Sequence, residues 1–236
     1  KTLASVDAGG GMILWDPATW QPRQPLSRQG DSVLIGLTFS PDSRELAAGA
    51  FDGTIQFWDV QSGQPIGDPI KAHNDWAMAL AYSHDGTELV SGSKDGTINR
   101  WDMKSHESIG GPVAAHTNWV TDLEFTPDDT AFISSSADGS IRVWDAKTGA
   151  PIGEPLVADG TQVWNVQFDK SYDPLQLVSL GGDGTIYWWD WAQRRLVRPP
   201  LRTGKETEDM VLSPDGRLVV LGAIDNDAYA FRINRA

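Results

Sequence analysis

Residues 95–102 read Asp95-Gly96-Thr97-Ile98-Asn99-Arg100-Trp101-Asp102, and residues 138–145 read Asp138-Gly139-Ser140-Ile141-Arg142-Val143-Trp144-Asp145. The same frame returns as Asp52-Gly53-Thr54 before Trp58-Asp59 and as Asp183-Gly184-Thr185 before Trp189-Asp190, and its end stands alone at Trp15-Asp16. The Trp-Asp pairs are spaced by 43, 43, 43 and 45 residues, and Phe231-Arg232 follows 42 residues later in a degraded sixth copy. A period that steady marks an array of small units, each of which buries its apolar face only against its neighbours.

Outward from the quoted stretch the unit resolves into four short strands. An Asp-Gly corner between runs of β-branched and aromatic residues is a strong hairpin signal. A second turn lies upstream at Ser40-Pro41-Asp42-Ser43, Ser83-His84-Asp85-Gly86, Thr126-Pro127-Asp128-Asp129 and Ser213-Pro214-Asp215-Gly216. The first strand alternates, as in Val120, Leu123 and Phe125, and the second is small and tight, as in Leu89-Val90-Ser91-Gly92-Ser93. The third ends in the Trp-Asp pair. The fourth carries a proline near its end, at Pro25, Pro69, Pro112, Pro155 and Pro200. Proline cannot donate to a ladder, so this strand is predicted to be the outer edge of each sheet.

With these residues the chain resembles the WD-repeat (WD40) family of β-propellers across essentially its whole length. The resemblance implies an all-β propeller of four-stranded antiparallel blades, first strand innermost, with about six blade equivalents present. They fall approximately at 1–27 (partial), 28–71, 72–114, 115–157, 158–202 and 203–236 (partial). The chain opens in the second strand of one blade and stops after the third strand of another, so both terminal blades are expected to be incomplete. The expectation is a portion of a longer protein with a propeller of seven or more blades; an open or distorted six-bladed ring is the second choice.

Composition narrows the function. A formal net charge of −13 opposes a phosphate backbone or an anionic membrane as partner. The cluster Arg194, Arg195, Arg198 and Arg202 reads as a solvated outer edge. No apolar run approaches the ~18 residues of a membrane span and nothing resembles a signal peptide, so the expected location is cytoplasmic. The absence of cysteine excludes disulfides and thiolate chemistry. No cofactor is expected.

His73, Ser91 and Asp95 recur as His116, Ser134 and Asp138, which superficially suggests two Ser/His/Asp triads. A trait repeated at the blade period is scaffold. In the family these positions, with Trp101 and Trp144, form buried hydrogen-bonded tetrads, and the resemblance implies the same here. The fifth copy keeps Ser179, Asp183 and Trp189; the second keeps Asp52 and Trp58 with Ala48 at the Ser place; the first keeps Ser5 and Trp15; the sixth keeps Asp225. No catalytic residue and no metal site is expected, since His84 and His106 fall in separate turns without paired ligand spacing. The glycines sit at blade turns and form no phosphate loop.

The resemblance also assigns a partner-binding top face, reached by side chains three and five residues after the tetrad His and by the residue before the turn Asp. These are Trp76, Met78 and Lys94 in the third blade, Trp119, Thr121 and Ala137 in the fourth, and Gln162, Trp164 and Gly182 in the fifth. The second contributes Val33, Ile35 and Phe51, and the sixth Glu206, Glu208 and Ile224. Such apolar, Trp-rich residues at a rim suit a protein or peptide partner, whereas Trp20, Trp188 and Trp191 read as packing within blades. The expected function is a non-catalytic binding scaffold. The alternative is the regulatory or sensor array of an NTPase, kinase or protease whose catalytic domain is linked upstream, and a propeller enzyme is remote.

Overall fold

Each Asp-Gly corner closes a hairpin between the second and third strands of its repeat. The N–H of Gly53, Gly96, Gly139 and Gly184 donates to the carbonyl three residues back at 2.9–3.1 Å, with the glycine at φ +74 to +85. That left-handed conformation is open to glycine and strained for other residues. The preceding Asp accepts from the N–H two residues on, at 3.0 Å for Asp52–Thr54 and 2.9 Å for Asp95–Thr97, Asp138–Ser140 and Asp183–Thr185. Sequence therefore sets the turn twice, through backbone freedom and through a side-chain acceptor.

The structure is a computed structural model that describes residues 2–7, 9–23, 26–27, 30–159 and 161–233. The chain falls into two compact units, 1–129 and 130–236. In the first unit, the first repeat supplies β1 (Leu3–Val6), β2 (Met12–Asp16) and β3 (Gln21–Pro22), and the second supplies β4 (Leu34–Phe39), β5 (Glu45–Ala50), β6 (Thr54–Asp59) and β7 (Ile70–Lys71). The third repeat follows as β8 (Ala77–Tyr82), β9 (Glu88–Ser93), β10 (Thr97–Asp102), β11 (Glu107–Ser108) and β12 (Val113–Ala114), then the fourth repeat's first strand, β13 (Val120–Phe125). The second unit begins with β14 (Ala131–Ser136), β15 (Ser140–Asp145) and β16 (Leu156–Val157). The fifth repeat gives β17 (Val163–Asp169), β18 (Gln176–Gly181), β19 (Thr185–Asp190), β20 (Arg195–Leu196) and β21 (Leu201–Arg202), and the sixth gives β22 (Thr207–Leu212), β23 (Leu218–Ala223) and β24 (Ala228–Arg232). Among the described residues every element is a strand, and each sheet is antiparallel in chain order, as propeller blades are. The first and sixth sheets have three strands, as expected.

The fourth strand departs from expectation. In the third repeat it is two short ladders, Trp101↔Ser108 with Asp102↔Glu107, then Thr97↔Ala114 with Ile98↔Val113. Between them lie Gly110 and Gly111 at positive φ, followed by Pro112. The fifth repeat repeats this division in β20 and β21 around Pro199-Pro200. In the second and fourth repeats a single bridge, Trp58↔Pro65 or Trp144↔Pro151, precedes β7 or β16. Pro69, Pro112, Pro155 and Pro200 thus stand immediately before the second ladder, while Pro25 lies outside the described residues. The outer edge is broken into lengths too short to template another strand.

Within each unit neighbouring sheets lie face to face, β4 and β5 against β8, β8 and β9 against β13, and β17 and β18 against β22. Small residues permit the close approach: a Cβ on Gly36 or Gly49 would lie 2.3 Å from the carbonyl oxygen of Met78 or Ala77. The layers between hold Leu46, Trp58 and Leu34 in one cluster and Ile55, Phe57 and Leu89 in the next. In the second unit Ile133, Phe168 and Trp189 form one core and Val178, Trp188 and Leu221 another. Trp188 is 2% exposed and Trp191 packs on its neighbours, as expected. Trp20 does not: it is 68% exposed at φ +57, because it occupies the turn position that Gly63 and Gly149 fill in other repeats, and that turn points the side chain away from the sheet.

Candidate functional site

The corner glycine also positions the tetrad. Its carbonyl accepts the N–H of Ala72 and His73 at Gly53, and of Ala115 and His116 at Gly96, at 3.0–3.1 Å. This delivers the imidazole of His73 onto β9 and β10. There Trp101 Nε1–H donates to Ser91 Oγ at 2.9 Å, and Ser91 Oγ lies 2.8 Å from His73 Nε2. His73 Nδ1 lies 2.9 Å from Thr97 Oγ1, whose hydroxyl donates to Asp95 at 2.6 Å. His73 and Asp95 themselves stay 3.9 Å apart. The expected four-residue set is therefore five, with Thr97 the missing relay; its place beside the Asp-Gly corner makes it read as a turn residue only.

With the imidazole neutral, one arrangement satisfies every donor: Trp101 to Ser91, Ser91 to His73 Nε2, His73 Nδ1–H to Thr97, and Thr97 to Asp95. Burial pushes the His73 pKa down to about 4, against the opposing pull of Asp95. Burial raises the Asp95 carboxyl, but bonds from the Thr97 side chain and N–H and from Asn74 N–H outweigh it and hold that pKa low. Ser91 is fully buried with its hydroxyl committed on both sides, so the arrangement offers a substrate no nucleophile. It is a structural relay.

The other repeats vary the theme. Trp144 donates to Ser134, Trp189 to Ser179 and Trp15 to Ser5, each at 2.8 Å. Ser140 donates to Asp138 at 2.6 Å, as Thr97 does to Asp95. His116 is buried within the first unit. In the second repeat, where Ala48 replaces the serine, the indole of Trp58 finds the main-chain carbonyl of Ser27 at 2.7 Å. In the fifth, Arg202, which pairs with Thr185 as Lys71 pairs with Thr54, sits 3.6 Å from Asp159 and 3.8 Å from Asp183. The sixth binds Asp225 to the Tyr229 hydroxyl at 2.8 Å.

The residues assigned to the partner face are set by one repeated main-chain bond. Phe51 N–H donates to Val33, Lys94 N–H to Trp76 and Gly182 N–H to Gln162, at 2.9, 3.0 and 2.9 Å. In the first unit Phe51 stacks on Trp76 with centroids 3.8 Å apart and planes 4° from parallel, and Trp76 meets Trp119 at 6.3 Å and 43°. The ammonium of Lys94 lies 4.1 Å from the Trp76 ring centroid and 4.9 Å from that of Trp119. All four side chains are half-buried. Val33 and Ile35 continue the surface, lining with Val6 and Phe51 a groove of about 460 Å³. Met78 on β8 and Thr121 on β13 are half-buried. In the second unit Gln162, Trp164, Gly182, Glu206, Glu208 and Ile224 all line one cavity of about 750 Å³.

The four arginines do not form one basic patch. Arg194 donates to the carbonyls of Ile152 and Glu154. Arg195 lies 3.6 Å from Asp190, Arg198 covers the Trp188 ring at 3.7 Å, and Arg202 spans its two aspartates. Sequence proximity grouped them, and the divided fourth strand separates them.

The profile of the WD40 family, described as WD domain, G-beta repeat, matches residues 21–59, 63–102 and 111–145. No match was found among curated proteins.

Proposed function

Because the chain belongs to the WD-repeat family, whose members generally serve as protein-interaction scaffolds, we propose that it is a non-catalytic scaffold that binds a protein or peptide through the Phe51–Trp76–Trp119 surface. The observation that carries this reading is the aromatic run with Lys94 over two indoles. Each ring contact contributes about 0.5–1.5 kcal/mol beyond burial, and the ammonium about 0.5–2 kcal/mol more. Together they hold three large rings rigid at half-burial, so a partner would dock without ordering them first. Tryptophan is also the residue most enriched among interface hot spots. Val33, Ile35, Met78 and Thr121 extend this surface in the first unit, and Gln162 and Trp164 are the corresponding contacts in the second.

The test is affinity capture with the tagged chain, followed by titration of the captured protein. Trp76→Ala and Trp119→Ala are each expected to weaken binding by ~2 kcal/mol or more. Arg195→Ala, on the outer edge of the fifth sheet, leaves affinity unchanged. Unaltered binding by both tryptophan variants, with loss in the arginine variant, refutes the proposal.

A further inference from the structure

The cavity in the second unit has a chemistry of its own. Its acidic side is supplied by Glu206 and Glu208, both exposed, their carboxylates without a hydrogen-bonding or ion-pair partner among the described residues. Lys205 also lines it, but that ammonium is held by the Tyr229 hydroxyl at 2.7 Å and by Asp225 at 3.6 Å. Asp183 is likewise engaged, with the Thr185 N–H and hydroxyl both at 2.9 Å. Two carboxylates therefore remain unanswered.

A second observation is independent of charge. Thr207 lines the same cavity, is 1% exposed, and its Oγ1 has no hydrogen-bond partner. A buried hydroxyl left so keeps its desolvation penalty uncompensated, which an occupant bearing a donor would recover. The third feature is a flat wall. The Trp164 indole lies where a Cβ on residue 182 would come within 2.9 Å of its Nε1, so Gly182 allows the ring to take that position.

We propose that this cavity receives an arginine side chain of the peptide partner, an inference that rests on the protein-binding reading above. A guanidinium is planar and stacks on an indole, keeps its charge there, and presents five donors in a fixed fork. Glu206 and Glu208 accept the fork, Thr207 Oγ1 accepts a remaining N–H, and Ile224 covers the methylenes. The net charge of −13 draws such a basic segment in from a distance.

The test uses the full chain and a nonapeptide of glycine and serine with one central arginine. Binding is followed by the indole N–H resonance of Trp164, assigned by its loss in Trp164→Phe. The arginine peptide is expected to shift this resonance saturably. Peptides with citrulline, which keeps the shape without the charge, or with glutamate are expected not to. The double variant Glu206→Gln, Glu208→Gln should weaken the arginine peptide about tenfold or more, whereas Asp68→Asn, Glu107→Gln, an equal charge change on exposed positions elsewhere, should leave it within twofold. An equal response to citrulline or glutamate, or equal losses in the two double variants, overturns the assignment. Failure of the peptide while Trp76→Ala still abolishes capture of the natural partner overturns this inference alone. A saturable arginine response in a chain whose natural partner ignores Trp76 and Trp119 supports this inference and overturns the Trp76–Trp119 reading alone.

Discussion

His73 is a titratable group that the fold holds neutral. Its folded pKa, near 4, lies below the ordinary value of 6.5, so between these limits the unfolded chain takes up a proton that the folded chain refuses. The resulting stability is fully present above pH 6.5 and is lost as pH falls towards 4. At 1.36 kcal/mol per unit the loss is of order 3 kcal/mol at most. Urea unfolding at pH 7 and pH 4.5 should show it, and His73→Gln should flatten the difference between the two; an equally steep dependence in the variant would refute the neutral relay. Asp95, whose pKa is lowered from 3.8, acts in the same direction but below this window. His73, Ser91, Asp95 and Trp101 were legible because they recur at the repeat period. Thr97 was not, since its second bond is to an imidazole 24 residues upstream that only the folded loop brings near.

At the scale of the element, glycine does two separable things. At Gly67 it supplies φ +66 with open space around a hypothetical Cβ, whereas at Gly49 that Cβ would press 2.3 Å from the carbonyl oxygen of Ala77 on the next sheet. Gly49→Ala should therefore destabilise by about 1–3 kcal/mol or more, by forcing two sheets apart. Gly67→Ala should cost only the backbone strain of about 1–2 kcal/mol. Denaturant midpoints compare them, and a Gly49→Ala protein as stable as Gly67→Ala would mean the sheets yield freely. The hairpins were readable from Asp-Gly alone because the turn is local. The divided outer strand was not: its prolines marked an edge correctly, but the gap depends on Gly110-Gly111 and Pro199-Pro200 lifting the chain off its ladder. Trp20 was misread for a similar reason, as its identity suggested a core and its backbone conformation took it outward.

For the molecule as a whole, stability in a repeat array is close to a sum of units and neighbour contacts. The three-stranded sheets should open first. Strand β24 alternates exposed and half-buried residues, while β9 is buried along all but its first residue. Hydrogen exchange should accordingly be slowest in β9, β14 and β18 and fastest in β1 and β24, and uniform protection would refute a neighbour-supported account. The aromatic partner surface was legible residue by residue through the family register, yet the stack of Phe51 on Trp76 and the place of Lys94 over two rings depend on distances between repeats that spacing does not encode. One bond has a different bearing on the history of such arrays. Trp58 donates to a main-chain carbonyl where its counterparts use a serine hydroxyl. A carbonyl is present whatever side chain position 27 bears, so no single substitution there deletes the acceptor. Position 48 is thereby released to drift: a lineage can lose its serine at that site, fill the space with a methyl group, and pass on an intact anchor.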